Sequence, residues 1–224
     1  MCPSDETHSL EIAGRLILST GMDVNSDEFL QLVSHQRACR AFSSEPVTDK
    51  QIEYVLSAAT YAPSAENTQP WVFVVVEDER RRAAIGDIIR AIWDSFGRQY
   101  TQKRSSPALF ADVDHGLGAG GVAAAPVLVV VGGDSRVVDR SQLKASVYPA
   151  VQNLLLAASW LGLGTCLTTI ANIRSDETRD LVGFPDEVDP LALIPIGHPA
   201  RPLGPPRRES FTVKTHRDRY GAAW

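Results

Sequence analysis

The 224-residue sequence has few cysteines, no long apolar run and no excess of positive charge. Its three cysteines, Cys2, Cys39 and Cys166, lie far apart and form no C-x-x-C or zinc-type Cys/His pattern. A disulfide framework and a metal site are therefore not predicted. The longest apolar run, Val122 to Val131, has ten residues, about half of the ~20 that a membrane-spanning helix needs. No membrane partner is predicted either.

The net charge of −5 disfavours nucleic acid as a partner. Met1 to Thr20 contains several acids and only a short apolar stretch, which fits neither a secretory nor a transit signal. We therefore predict a cytoplasmic protein with a flexible leader over residues 1–24 and a single domain over residues 25–224. The segment from Arg201 to Arg219 is locally basic and indicates either one discrete anionic ligand or a solvated tail.

The spacing of apolar residues separates helices from strands. It predicts helices over Asn25–Gln36, Thr48–Pro63, Glu79–Phe96, Ala145–Leu161 and Asp176–Val182. It predicts strands over Trp71–Val76, Val127–Val131, Thr165–Ile170 and Leu191–Ile196. The pattern fails over Gly97–Ala125, which we interpret as a mobile lid (residues 97–125). Aromatic residues in and just before this lid, Trp93, Phe96, Tyr100 and Phe110, are expected to select the acceptor. The Pro-rich tail is expected to reach a partner subunit.

The glycines from Gly116 to Gly121 satisfy the pattern G-x-G-x-x-G. A dinucleotide-binding site needs this pattern after a strand and at the start of a helix. Here a loop-like segment precedes it and a strand-like segment follows it. We therefore do not interpret the pattern as a dinucleotide site.

Two polar clusters remain. Gln36 to Phe42 carries Arg37 and Arg40 three residues apart at a chain reversal, where both guanidiniums could bind one phosphate. The plain alternative is an exposed basic helix end. Ala62 to Trp71 forms a loop between a helix and a strand whose side chains and free amides suit the polar rim of a flat heterocycle. Its plain alternative is an ordinary turn-rich connection.

Taken together, the motifs resemble the nitroreductase family of FMN enzymes. The first cluster is similar to the family's R-R-S-x-R-x-F segment and the second to A-P-S-x-x-N-x-Q-P-W. Tyr148 to Thr165 and Ile196 to Pro199 continue the match, and it ends near His216 to Tyr220. The resemblance implies an α+β fold, a three-layer sandwich with a mostly antiparallel central sheet flanked by helices. It also implies a homodimer with C-terminal tails exchanged between subunits.

The resemblance also implies an FMN site. Arg37, Arg40, Arg207 and Arg208 would hold the phosphate, and Pro63, Ser64 and Asn67 would border the ribityl chain and the ring. A backbone amide near Thr168 to Ile170 would face flavin N5. The full implied set of cofactor-binding residues is Gln36, Arg37, Ala38, Arg40, Pro63, Ser64, Asn67, Gln69, Thr168, Thr169, Ile170, Arg207 and Arg208.

Three departures from the family pattern bear on this site. Gln36 and Ala38 stand where Arg and Ser are usual, and Glu66 replaces a common Gly. The first two remove a charge and a hydroxyl from the phosphate cradle, which weakens the expectation of tight FMN binding.

The implied activity is a ping-pong transfer of two electrons from NADH or NADPH to a small-molecule acceptor such as a nitroaromatic or a quinone. No catalytic side chain is predicted, because flavin N5 carries the chemistry. Two alternatives stay open. One is a dehydrogenase or dehalogenase on the same scaffold, and the other is a flavin-sequestering protein without turnover.

Overall fold

The computed structural model describes residues 11–12, 15–17 and 23–224, with side chains from residue 26 onward. Short strands β1 (Glu11–Ile12), β2 (Arg15–Ile17) and β3 (Asp23–Asn25) pair antiparallel in that order. The predicted flexible leader falls largely outside the described residues and stays a prediction.

Seven α-helices follow residue 25, and all but α4 and α5 correspond to helices that the apolar spacing predicted. They are α1 (Ser26–His35), α2 (Asp49–Thr60), α3 (Glu79–Ile92), α4 (Arg98–Gln102), α5 (Pro107–Leu117), α6 (Arg140–Trp160) and α7 (Ser175–Val182). A π-helical turn at Trp93–Gly97 joins α3 to α4, and 3-10 turns occupy Ala65–Asn67, Ile170–Arg174 and Phe211–Val213. Helix α2 begins with a capping box. Thr48 N donates to Gln51 Oε1 at 2.9 Å, and Gln51 N donates to Thr48 Oγ1 at 3.3 Å.

The central sheet is antiparallel throughout its four strands. These are β4 (Trp71–Val76), β5 (Val127–Asp134), β6 (Gly164–Thr165) and β7 (Val188–Gly197), in the order β4-β5-β7-β6. Alternate residues of β5 enter two separate cores. Val127 and Val129 pack with α2 and α6, whereas Leu128 and Val130 pack with α3 and α7. Helices therefore cover both faces of the sheet, and the α+β three-layer sandwich is confirmed.

The expectation that residues 97–125 lack regular structure is wrong, whereas their role as a mobile lid stays a prediction. The segment contains α4 and α5, and α5 has a clear start signal. Ser106 Oγ accepts a hydrogen bond from Leu109 N at 3.3 Å, and Pro107 occupies the first turn of the helix. The Ser-Pro pair was visible in the sequence. Because the helices are short and the segment is rich in glycine, the sequence shows no recognisable helical spacing of apolar residues.

The predicted strand Thr165–Ile170 is also too long. Only Gly164 and Thr165 pair continuously with β7, and Thr168 adds one isolated bridge to Leu193. At Thr169 the backbone leaves the extended region, with φ −122° and ψ 4°, and a 3-10 turn begins. Beyond Thr165 the chain therefore runs along the edge of the sheet without a continuous ladder of hydrogen bonds to β7.

The glycine pattern at Gly116 to Gly121 lies at the end of α5 and in the turn that follows. It does not connect a strand to a helix start. The interpretation that it is no dinucleotide motif therefore agrees with its place in the fold.

Candidate functional site

The segment after α1 is fastened to the edge strand β6. Ala38 forms a parallel bridge with Thr165, and Cys39 N donates to Thr165 O at 2.7 Å. The fold thereby places the arginine segment beside Thr165, three residues before the turn at residues 168–170.

Arg37 and Arg40 have different partners in the single chain. The exposed Arg37 donates from Nη1 to Gly204 O at 3.0 Å, at the start of the tail. The half-buried Arg40 donates from Nη1 to Asp112 Oδ2 at 2.6 Å. Gln36 and Arg37 line a cavity of about 190 Å³ together with the chain from Gly162 to Thr165. Convergence of both guanidiniums on one phosphate stays a prediction.

The two thiols beside these arginines are buried. Cys39 is 1% exposed and Cys166 is 2% exposed. Burial is the main cause that raises the pKa of each thiol, and the charge of Arg40 only partly opposes it. Both cysteines therefore stay protonated at neutral pH, which makes them poor nucleophiles.

The loop between α2 and β4 has an unusual backbone. Glu66, Asn67 and Gln69 have φ values of 52°, 56° and 48°, in the left-handed region that non-glycine residues rarely adopt. Conformations of this kind persist only where the surroundings hold them, and they concentrate at functional sites. The strained run coincides with the segment that the sequence singled out.

Hydrogen bonds from within the loop and from α6 hold this backbone. Ser64 Oγ accepts from Gln69 N at 3.0 Å, and the buried Ser146 of α6 accepts from Ala65 N at 3.1 Å. Pro63, Asn67 and Gln69 are exposed on the outer side of the loop. The predicted flavin-contacting side chains are therefore presented to a ligand or to another chain by a fixed support.

The turn at Thr168 to Ile170 also suits a ligand contact. Thr168 is buried and pairs with Leu193, whereas Thr169 is exposed. Thr169 precedes the 3-10 turn, and no side-chain hydrogen bond caps that turn. The first N–H groups of such a turn need an acceptor from outside it.

Arg207 and Arg208 lie exposed in the tail. Arg208 Nη1 donates to Arg207 O at 3.0 Å. Among the described residues, neither side chain has a hydrogen bond or ion pair to the segment 36–40. Their predicted role at the phosphate stays a prediction.

The predicted lid is docked on the body of the domain through Asp114. Its Oδ1 atom accepts from Trp93 Nε1 at 2.8 Å and lies 2.7 Å from Arg98 Nη2. Trp93 is 1% exposed, so it does not line an acceptor site as the aromatic composition suggested. Phe96 and Tyr100 are exposed and are available for that role.

Within residues 26–224, no group of three or more His, Cys, Asp or Glu side chains is arranged to hold a metal ion. Across the described part of the chain, no helix has both the length and the hydropathy to cross a membrane.

Comparison with known proteins identifies the scaffold. The model of the nitroreductase family matches residues 33–198. The chain belongs to the nitroreductase family. The matched span contains α2 to α7, the whole four-stranded sheet and every proposed site residue except the two tail arginines.

Two relatives and one solved structure illustrate the range of the nitroreductase family. Iodotyrosine deiodinase 1 from Rattus norvegicus is 33% identical over 197 residues, covering 80% of this chain and 65% of its own length. A protein from Archaeoglobus fulgidus, named provisionally as an NADH dehydrogenase/NAD(P)H nitroreductase, is 30% identical over 175 residues, covering 77% of this chain and 86% of its own. An oxidized iodotyrosine deiodinase bound to FMN and 3-iodo-L-tyrosine superposes with a TM-score of 0.70 at 27% identity, covering 86% of this chain and 98% of that one.

Two residues of this site escaped the sequence analysis. Asp112 pairs with Arg40 and also lies near Arg201, the first residue of the basic tail segment, and Ser146 supports the loop from α6. Nothing local marks Asp112, because its partners are distant in sequence. Ser146 could have been noticed as a polar residue within an apolar helix.

Proposed function

We propose that this nitroreductase-family protein is an FMN-dependent oxidoreductase. It uses NADH or NADPH to reduce a small organic acceptor, and it works as a homodimer. The observation that carries the proposal is the left-handed backbone at Glu66, Asn67 and Gln69, in a loop held in place by Ser64 and Ser146. Strain of this kind persists only where the surroundings hold it, and it concentrates at ligand-binding sites.

The donor set suits FMN. Arg37 and Arg40 supply cationic N–H donors for a phosphate, and Asn67 supplies an amide for the polar edge of a flat ring. The N–H groups at the start of the Ile170–Arg174 turn, which no side chain caps, add backbone donors. Similarity to a family structure that holds FMN supports the same assignment.

When bound, FMN would supply the hydride and electron chemistry, and the protein would supply binding, orientation and charge. Arg37 and Arg40 would neutralise the phosphate. The braced loop would fix the ring plane, so that the exposed Asn67 meets its rim. No side chain needs to act as an acid or base in this scheme, and the buried thiols of Cys39 and Cys166 do not take part.

An apolar surface supports the homodimer. α1 buries none of its own side chains in the single chain, and Phe29 and Trp160 are each 59% exposed. With Leu32, Tyr54 and Tyr61 they line an open groove of about 350 Å³ between α1, α2 and α6. Contiguous exposed apolar surface of this kind marks a protein interface. A second copy would also enlarge the cavity beside Arg37, whose ~190 Å³ is less than the roughly 300 Å³ of small ligand pockets.

The test is an absorption spectrum of the purified protein, followed by FMN titration and anaerobic addition of NADPH or NADH. We expect a yellow protein whose visible absorption bleaches with the nucleotide and returns with a nitroaromatic or a quinone. Bound flavin that neither nucleotide reduces would contradict the proposed electron source and would favour a sequestering role. A protein that takes up no FMN would contradict the whole proposal.

A dehalogenase is the second candidate. It is favoured by the 33% identity to iodotyrosine deiodinase 1 and by the 0.70 TM-score to the complex with 3-iodo-L-tyrosine. In this chain the exposed Tyr100 stacks under Arg104, whose Cζ lies 3.9 Å from the ring centroid. This pair offers a cation and an aromatic face, which suit an aromatic amino acid. Release of iodide from 3-iodo-L-tyrosine by the reduced protein would favour this reading over nitroreduction.

A further inference from the structure

Helix α5 is tied to the arginine segment by one carboxylate. Asp112 Oδ2 lies 2.6 Å from Arg40 Nη1, and Asp112 Oδ1 lies 3.8 Å from Arg201 Nη2. The Arg40 side chain is 17% exposed and that of Asp112 is 28% exposed. A single group on α5 thus joins the segment after α1 to the beginning of the tail.

Two glycines of the G-x-G-x-x-G pattern fix the same arginine. A Cβ atom at Gly116 would lie 2.6 Å from Cδ of Arg40, and a Cβ at Gly121 would collide with the Arg40 carbonyl oxygen. The end of α5 and the turn after it therefore pack closely on the stem and backbone of Arg40. With its stem held in this way, the guanidinium is directed by its polar partners, of which Asp112 carries the opposite charge.

We propose that Asp112 is a positioning residue that acts through Arg40 and couples α5 to the cofactor site. The inference rests on the proposed FMN function. A guanidinium has five N–H donors in a rigid plane, so that a contact to Asp112 leaves donors for a second acceptor. By holding one edge of the plane, Asp112 aims the remaining donors and lowers the entropy lost when FMN binds.

The coupling runs in both directions. If Asp112 and FMN contact Arg40 at the same time, each strengthens the interaction of Arg40 with the other, because binding free energies are linked reciprocally. FMN should therefore slow amide hydrogen exchange in α5, although α5 is not assigned to the cofactor site. The opposite arrangement would be competition, in which Asp112 occupies Arg40 in place of the cofactor.

The test compares FMN dissociation constants, measured by quenching of flavin fluorescence on apoprotein, for D112N, R40Q and the double variant. The matched control is D114N. It removes the same charge from the same helix, but from a carboxylate that contacts Trp93 and Arg98. D112E restores the charge.

We expect D112N to raise the dissociation constant about tenfold, within the range measured for coupled neighbours. D114N should stay within about twofold of wild type, and D112E should recover part of the loss. The double variant should bind no worse than R40Q, since Asp112 acts through Arg40. Unchanged or tighter binding by D112N, full additivity with R40Q, or an equal loss in D114N would overturn the inference.

Hydrogen exchange gives a readout that does not depend on the stability of D112N. Wild-type protein saturated with FMN should show slower exchange in residues 107–117 than apoprotein, and R40K should reduce this difference. Equal protection with and without FMN would count against the coupling. Failure of wild-type protein to bind FMN would instead refute the proposed function, so the two outcomes are distinct.

Discussion

The two arginines of the candidate site sit in contrasting surroundings. Arg40 is half-buried, packed against glycines of α5 and paired with Asp112, all within its own chain. Arg37 is exposed and contacts only a tail carbonyl among the described residues. The comparison indicates that one edge of the site is prebuilt by the single chain. The other edge, with Asn67 and the α1 surface, is exposed in the single chain, and the proposed ligand and second subunit would cover it.

The largest expected effect is on the alkylation rate of the two buried thiols in the prebuilt edge. Burial raises the pKa of Cys39 and Cys166, so the reactive thiolate is scarce and inaccessible in the folded protein. If alkylation requires opening of this edge, it should be about a thousandfold slower than in unfolded protein at pH 8. Peptide mapping after iodoacetamide treatment measures this, with urea-unfolded protein as the control.

The raised pKa values of the two thiols also predict the direction in which folding stability changes with pH. A raised folded pKa means that the folded state keeps its thiol protons longer than the unfolded state. The contribution to stability is complete below the unfolded thiol pKa of about 8.5 and is lost as pH rises through the folded value. Cysteines that react in folded protein as fast as in unfolded protein would show that this edge is not preformed.

The open edge is tested next by Trp160→Glu. A charge placed in the exposed apolar groove should weaken the dimer by about 2–4 kcal/mol, the range of an interface hot spot, or roughly 30-fold or more in its dissociation constant. Sedimentation equilibrium measures this. Val137→Glu, another exposed apolar position outside the groove, is the control. A dimer that Trp160→Glu leaves intact would place the interface elsewhere, and a wild-type monomer would contradict the proposed homodimer.

Much of the fold was readable from the sequence, and the reasons are local. Trp71–Val76 is a β-branched run with turn residues at both ends, and Thr48 with Gln51 marks the start of α2. These signals lie within a few residues of the element that they predict. The motif order likewise pointed to the loop 62–71 before its backbone was known.

The rest depended on contacts that are distant in sequence. Arg40 and Asp112 are 72 residues apart, so that no pattern around Arg40 predicts its partner. β6 ends at Thr165, and beyond it only Thr168 bridges to Leu193 before the turn that follows Thr169, although the sequence continues to favour a strand. Gly116 and Gly121 were recognised as a decoy motif. Their close packing on Arg40 could only be seen in three dimensions.

Arg37→Gln should separate the two arginines by function. Loss of a charged hydrogen bond to an anionic ligand costs about 1.5–3 kcal/mol, or roughly tenfold to a hundredfold in the FMN dissociation constant. Because Arg37 is exposed, the free energy of unfolding of the apoprotein should change little. Fluorescence titration and urea denaturation measure the two quantities, and Arg80→Gln on exposed α3 is the control. A large loss of stability without a loss of FMN affinity would mean that Arg37 is structural.

The smallest effect concerns the strain in the open edge. Glu66 has φ 52°, which costs a non-glycine residue about 1–2 kcal/mol, whereas glycine adopts it freely at an entropic cost of roughly 0.5–1 kcal/mol. Glu66→Gly should therefore raise the free energy of unfolding by about 0.5–1 kcal/mol, measured by urea denaturation. Glu66→Ala loses the same carboxylate but keeps the Cβ atom, so it should give no such gain. Equal gains in both variants would assign the effect to charge, and the backbone of this loop would then carry less strain than its dihedral angles indicate.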